Sequence, residues 1–575
     1  MRKLASYLKG YRKESILGPL FKLIEATFEL LVPLVIAALI DRGIGGESRG
    51  TIVGLCAVLV GLGLVGLACS LTAQYFAAKA SVGFVKKLKH ALFEHIQGFS
   101  YTTLDRLGAS TLITRLTSDM NQVQTGLNLT LRLLLRSPFV VFGAMVMAFT
   151  IDARSALWFV VAIPLLSVVV FGVMLACIPL YRRVQEKLDR VLGITRENLT
   201  GVRVLRALGQ EEAQVREFGA RNDELTAMQK VVGRVSALMN PVTYVIINLA
   251  IVALIRQGAV RVDAGILTQG QVVALYNYMS QILVELIKLA NLIINITKSA
   301  ACAKRIQAVL NLPSGEPEKD GCRAGDEALA VEFDHASLRY EGAGAPSLID
   351  VSLRVHPGEV IGVIGGTGSG KTSLVNLIPR FYTATEGAVR VFGRDVRQTP
   401  VEELRAQIGV VPQKAVLFQG TIRDNLRWGN EQATDEALWR ALEIAQASEV
   451  VLGKPNGLDE VIEQGGKNLS GGQRQRLTIA RALVKQPKIL ILDDSSSALD
   501  FATDAALRKA LYHMEPKPTL FIVSQRTSSI QHADQIVVLD EGRAVGVGTH
   551  GQLLETCEVY KEIYASQFKR KEEEQ

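Results

Sequence analysis

Gly365-Gly366-Thr367-Gly368-Ser369-Gly370-Lys371-Thr372 is the stretch on which the reading of this chain turns. The apolar run Val360-Ile361-Gly362-Val363-Ile364 precedes it and reads as a buried strand. Ser373-Leu374-Val375-Asn376-Leu377-Ile378 follows and reads as helix. Strand, glycine loop and helix are the context in which G-x-x-x-x-G-K-[ST] holds phosphate. The glycines let backbone N–H groups curl around a β-phosphate without a Cβ clash. The helix N-terminus adds positive potential. Lys371 has the length to reach β- and γ-phosphates, and the Thr372 hydroxyl is a Mg²⁺ ligand. Gly365 through Ser373 are therefore the expected nucleotide-binding residues.

The rest of the composition is not that of a soluble enzyme. A chain of 575 residues exceeds one core. It is 48% hydrophobic and only 21% charged, with a mean hydropathy of +0.22. This suits a membrane half joined to a soluble half. The formal net charge of +8 does not point to nucleic acid, because much of the Lys and Arg lies at the ends of apolar segments. The six cysteines show no C-x-x-C spacing, so neither a metal site nor a disulfide framework is indicated. Cys56, Cys69 and Cys177 lie in apolar stretches and read as packing residues. The first apolar stretch is too long for a cleavable signal and is interrupted by charge. It is expected to remain as a membrane helix.

Arg2 to Lys13 is basic and mildly amphipathic, and reads as a segment lying on the cytosolic membrane surface. Six spans are expected near 16–40, 52–74, 130–151, 155–180, 237–260 and 270–296, each about long enough to cross a ~30 Å hydrocarbon core. Lys86, Lys87, Lys89, Arg115, Arg182, Arg183, Arg203 and Arg206 fall in the long loops, whereas the connections near 41–51, 152–154 and 261–269 are short and less basic. Both termini and the phosphate loop are thus expected in the cytosol, on a multi-pass cytoplasmic-membrane protein. The gaps after the second and fourth spans are about 55 residues of helical pattern, enough at ~1.5 Å per residue to reach well beyond the bilayer. Arg115 to Met120 and Glu197 to Val204 read as turning points in these arms, or as solvated loops. Charge inside a span needs a partner, water or a function. Lys22, Glu25 and Glu29 share one helix face, and Asn277, Gln281, Glu285 and Lys288 form a second stripe. Two readings stay open for both: a translocation path that touches cargo, or salt bridges between helices.

Pro313 to Glu327 reads as a linker, followed by alternating strand and helix patterns. Tyr340 lies about 25 residues before the phosphate loop, where an aromatic ring either stacks on adenine or packs. Gln413, in Val410-Val411-Pro412-Gln413, is a candidate Mg²⁺ ligand and a candidate contact for the membrane arms. Leu469-Ser470-Gly471-Gly472-Gln473 opens a helix, so Ser470, Gly471, Gly472 and Gln473 form a second phosphate-binding tip. Ile489-Leu490-Ile491-Leu492-Asp493 is a buried strand ending in a carboxylate suited to Mg²⁺ through water, and Ser497-Ala498-Leu499-Asp500 follows.

In that order these motifs resemble a half-transporter of the exporter-type ATP-binding-cassette superfamily over nearly the whole chain. The arm stretches at 115–120 and 197–204 resemble that family's coupling helices. The resemblance implies an all-α six-helix transmembrane domain over 1–312, a linker over 313–328 and an α/β P-loop nucleotide-binding domain over 329–575. It implies ATP and Mg²⁺ as cofactors, with Thr372, Gln413 and Asp493 around the metal. It also implies a second half-transporter, with each ATP held between one chain's phosphate loop and the other's signature Ser470. The lipid bilayer and a hydrophobic or amphipathic substrate complete the expected partners.

Two departures fall at one step. The family's general base is a Glu directly after the strand's Asp; here it is Asp494. The family's switch His is here Gln525, in Phe521-Ile522-Val523-Ser524-Gln525-Arg526. Asp withdraws the carboxylate by about 1.5 Å, and a misplacement of ~1 Å costs on the order of 100-fold in rate. Gln525 donates a hydrogen bond but brings no charge to a developing phosphoryl anion. The expectation is a chain whose own site binds ATP and hydrolyses it slowly, paired in a heterodimer and exporting amphipathic small molecules, drugs or lipids. The alternatives are a homodimeric lipid flippase and an ATP-gated regulatory membrane protein.

Overall fold

The computed structural model describes residues 4, 6–46, 49–315 and 326–568, so most of the expected linker lies outside the described residues. The chain divides into two compact units, Met1–Gln97 with Ser110–Leu312, and Gly98–Ala109 with Pro313–Gln575.

The first unit is helical. Among the described residues, six helical stretches are long and apolar enough to cross a membrane: Ser6–Ile44, Arg49–Gln97, Ala109–Ile151, Ala153–Thr200, Glu211–Asp263 and Gln269–Leu310. Each contains one of the expected spans. They pack through small and branched side chains, with Ala26, Ala144, Phe159, Leu254, Ala274 and Met279 at 0% exposure. Small residues allow close helix approach where no hydrophobic driving force separates helix from lipid. Polar clips close the short connections. Asp152 caps its helix by accepting from Ser155 N at 2.9 Å and pairs with Arg261 at 2.7 Å, and Asp41 accepts from Gly270 N at 2.9 Å.

One expected turning point moves. Arg115–Asp119 is not a turn but a π-helical turn within a continuing helix. Asp119 is held there between Arg305, at 2.6 Å, and Arg115, at 2.8 Å. The chain turns earlier, around the short helix Tyr101–Leu107, which Ser100 caps and Gly108 ends at φ +72°. That φ favours glycine. The second turning point lies where expected: Ala153–Thr200 ends at Gly201, Val202–Ala207 forms a short helix, and Gly209, at φ +59°, precedes Glu211–Ala237.

The second unit carries a six-stranded sheet in the order Arg543–Gly548, Gln535–Asp540, Val360–Gly365, Thr519–Val523, Ile489–Asp493 and Ile408–Val411. Every pairing in it is parallel except that of the Arg543–Gly548 edge. Leu490 and Leu492 pack into one core, while Ile489 and Ile491 pack into another. The sheet is therefore buried on both faces, as a parallel sheet must be. A four-stranded antiparallel sheet, in the order Leu348–Val355, Val331–Leu338, Glu386–Val391 and Arg394–Asp395, shares the second core.

Candidate nucleotide site

The phosphate loop leaves the end of Val360–Gly365, a strand buried at every residue. Open parallel sheets bind ligands at the carboxyl ends of their strands. Glycine is required at two loop positions. A Cβ at Gly365 would lie 2.1 Å from Leu539 O, and one at Gly370, at φ +97°, would lie 2.5 Å from Ser347 O. Beyond the loop is a cavity of about 340 Å³, lined in part by Lys371, Thr372, Gln413, Asp493, Asp494 and Gln525.

Within it, Lys371 Nζ folds back on its own loop, donating to Gly365 O at 2.8 Å and Gly366 O at 2.6 Å. These carbonyls hold the ammonium where a phosphate would take it over. Burial pushes the Lys371 amine down, against the pull of Asp494 and Asp493. Thr372 Oγ1 donates to Asp493 Oδ1 at 3.0 Å. Burial pushes the Asp493 carboxyl up, the Thr372 bond opposes this, and Asp494 adds to it. Two hard oxygens on one edge of a cavity, one of them an under-neutralised carboxylate, fit Mg²⁺. Gln413 Nε2 donates to Asp494 Oδ2 at 3.2 Å instead of turning toward Asp493.

Asp494 sits at φ +46°, a left-handed conformation uncommon outside glycine, with its N–H donating to Val523 O at 3.0 Å. That bond fixes the residue after the strand and aims its carboxylate at the cavity. Gln525 is placed through its backbone. Its carbonyl accepts from Gln567 Nε2 at 2.7 Å, and the Arg526 guanidinium lies 4.6 Å from the Phe501 ring centre.

Ser470 to Gln473 are not among the residues of this cavity. Ser470 caps the helix Gly471–Val484 in a reciprocal box with Gln473, and Ser470 and Gly471 are exposed. Tyr340 stands beside the phosphate loop, its hydroxyl 2.9 Å from Ser373 Oγ.

Sequence reasoning missed what backs Tyr340. The Tyr382 ring meets it edge-on at 4.9 Å, and Tyr382 Oη donates to Asp105 Oδ2 at 2.6 Å. Arg106 pairs with Glu341 at 3.1 Å. The helix Tyr101–Leu107 thus borders a second cavity, of about 530 Å³, together with Tyr340 and Tyr382. Ser100 and Gly108 punctuate that helix in sequence, which was the available signal.

In the first unit the charged members of the polar stripes are paired, while Gln281 Oε1 is buried without a hydrogen-bond partner. Arg136, which the sequence reading passed over, lies 2.5 Å from Glu29 and 2.8 Å from Glu285, and Lys288 lies 2.8 Å from Glu285. Lys22 pairs with Glu25 at 2.6 Å and donates to Ser70 at 3.1 Å.

Two family models match the chain, "ABC transporter transmembrane region" over residues 15–286 and "ABC transporter" over 348–497. The chain belongs to the ABC transporter family, as an exporter with transmembrane region and ATP-binding domain fused in one chain. It is 37% identical to the "Uncharacterized ABC transporter ATP-binding protein YfiB" of Bacillus subtilis (strain 168), with 99% of each chain covered. It is 30% identical to an "ATP-dependent lipid A-core flippase" of Cupriavidus metallidurans, with 99% of this chain and 96% of that protein covered. Its fold matches the solved structure of a bacterial Atm1-family ABC exporter with ATP bound, at a TM-score of 0.81 and 21% identity, over 97% of this chain and 98% of that one.

Proposed function

We propose that this chain is one half of an asymmetric exporter. Its own phosphate pocket holds ATP·Mg²⁺ and turns it over slowly, while Ser470 to Gln473 complete the site of a different partner chain. The observation that carries this reading is the placement of Asp494 and Gln525 together on the phosphate cavity, with Ser470 and Gly471 exposed and away from it.

In the pocket, the loop amides and Lys371 bind the phosphates and Tyr340 stacks on adenine. Thr372 and Asp493, with Gln413 nearby, hold Mg²⁺, which neutralises phosphate charge. Asp494 accepts a proton from the attacking water as the bond between the γ-phosphorus and the ADP oxygen breaks, and Gln525 donates to a γ-phosphate oxygen. A shorter base and an uncharged donor both weaken this step. ATP binding favours the closed pair of nucleotide domains, and its differential affinity for that state drives the membrane bundle outward-facing.

Both termini lie in the cytosol and the spans cross the cytoplasmic membrane, because the long loops carry the basic residues. The cargo is an amphipathic small molecule, drug or lipid. The lipid A-core flippase among the relatives supports a second reading, a homodimer moving lipid between leaflets. In a regulatory protein gated by ATP nothing would be pumped, and uphill transport into sealed vesicles excludes that case.

Two measurements test the proposal. The intact mass of the complex, drawn from native membranes by a tag on this chain, should show a second half-transporter with Glu and His at the matching positions. A pure dimer of this chain overturns the asymmetric reading. Within the asymmetric complex, Asp494→Glu with Gln525→His should raise turnover at this site on the order of 100-fold. No gain overturns the positioning account.

A further inference from the structure

The first unit contains an apolar cavity of about 440 Å³ that has no part in the nucleotide chemistry. Leu8, Phe84, Val123, Leu127, Ile296 and Ala300 line much of it. Its two hydroxyls are already engaged. Thr130 Oγ1 donates to Gly126 O at 2.7 Å, and Ser299 Oγ donates to Gln122 O at 2.7 Å while accepting from Gln122 Nε2 at 3.3 Å. Water in such a space would lack the two to four polar partners it needs. A cavity of this size and lining suits an apolar occupant.

Its level in the chain is informative. Leu8 lies just before the first apolar run, Leu127 and Thr130 at the start of the third, and Ile296 and Ala300 at the end of the sixth, while Phe84 and Val123 lie beyond the second and third runs on their loop side, so the cavity straddles the boundary. Three separate elements therefore pass from hydrocarbon to water around one opening. The N-terminal segment that closes it exposes Lys9, Arg12 and Lys13. No acidic residue precedes Glu14, and Glu14 is taken up by Lys79 at 3.0 Å. Lys87 Nζ stands 5.2 Å from the centre of the Tyr11 ring in the same segment. An apolar slot thus opens beside unbalanced positive charge at the membrane boundary.

We propose that this cavity is a binding site for an anionic phospholipid, with an acyl chain in the slot and the phosphate against the Lys9 to Lys13 segment. The lipid is a fixed constituent that pins the N-terminal segment to the bundle, whichever cargo is moved. A zwitterionic lipid fits the slot equally well but gains less from the basic rim, because each basic residue near an anionic headgroup contributes about a fivefold preference.

The test uses the full complex reconstituted in equal amounts of phosphatidylglycerol and phosphatidylcholine, re-extracted in mild detergent, with bound lipid read by native mass spectrometry. About one phosphatidylglycerol per copy of this chain should survive extraction, favoured over phosphatidylcholine on the order of 100-fold when all three basic residues face the headgroup. Ala300→Trp, which fills the slot, should remove it. Lys9→Gln with Lys13→Gln should keep a lipid but erase most of the preference. Equal retention of both lipids, or full retention by Ala300→Trp, overturns the site. The unaltered chain gives a check that folding defects cannot confuse. Phosphatidylglycerol with a photoactivatable acyl chain should crosslink to peptides holding Leu8, Leu127 or Ala300. Crosslinks spread evenly over all six spans, or displaced by transported drugs, overturn it.

Discussion

Arg136 in the membrane unit and Asp493 in the nucleotide unit are equally withdrawn from solvent, each 6% exposed, yet their surroundings differ. Arg136 lies between Glu29 and Glu285, and Lys288 balances the second carboxylate, so two acids meet two bases. Asp493 has a neutral hydroxyl from Thr372 and a second carboxylate nearby, while Lys371 is turned to its own loop carbonyls. Burial pushes the Asp493 carboxyl up and the Lys371 amine down, so both charged forms are under-stabilised. The membrane cluster balances its charges without a ligand, although Arg136 Nε and Glu285 Oε2 are buried without a hydrogen-bond partner. The nucleotide cluster is built around charges that only a cation and a polyphosphate would satisfy. A polar stripe on a spanning helix is therefore weak evidence for cargo once its partners are known.

The largest expected effect breaks the charge-balanced cluster. Arg136→Met leaves half-buried Glu29 without its partner and buried Glu285 with Lys288 alone. Removal of one partner from a buried pair costs about 3–5 kcal/mol, and the exposure of Glu29 and the remaining Lys288 put this change toward the lower end. Thermal unfolding in detergent should show a large loss. An unchanged midpoint would mean that water already reaches these carboxylates. The nucleotide cluster should respond with the opposite sign. Asp493→Asn removes an under-neutralised charge and should stabilise the nucleotide-free protein by about 1 kcal/mol, while abolishing the stabilisation that Mg²⁺-ATP gives the wild type. The pH dependence has the same origin. A carboxyl raised in the folded state holds its proton better there than in the unfolded chain. Its contribution to stability is then present at low pH and is lost as pH rises through the folded value. Asp493→Asn should flatten that part of the profile, and a profile unmoved by the substitution would mean that Asp493 does not titrate there.

What the sequence disclosed follows the same division. The phosphate loop, the capped helix at Ser470 and the strand ending in Asp493 were legible because each is a local pattern whose chemistry needs adjacent residues. Six spans were legible because hydrocarbon demands about 20 apolar residues in a row. Arg136 was not, because it is a single charge at the edge of an apolar run and its partners lie 107 and 149 residues away. The bond between Tyr382 and Asp105 spans 277 residues, and nothing local announces it. Arg115 to Met120 reads as a turning point through its resemblance to a coupling helix, but Asp119 pairs with Arg305 while the helix continues. Punctuation by Ser100 and Gly108 was the better guide, since an N-cap starts a helix and a glycine at positive φ ends it.

The smallest expected effect sharpens the comparison most. Lys288 pairs with Glu285 at 2.8 Å, but its side chain is 47% exposed, against 3% for Glu285. An ion pair that open to solvent contributes under about 1 kcal/mol. Lys288→Met should therefore leave the unfolding midpoint nearly unmoved, because Arg136 still holds Glu285. Transport then separates the two readings of the stripe. If the stripe serves only to join helices, export of neutral and charged amphiphiles should both stay near wild type. If Lys288 faces the path, export of anionic amphiphiles should fall selectively while stability and basal ATP hydrolysis hold. Such a selective loss would show that a self-neutralised cluster still presents one charge to cargo at its open edge, and Arg136 would be the buried post on which that edge is mounted.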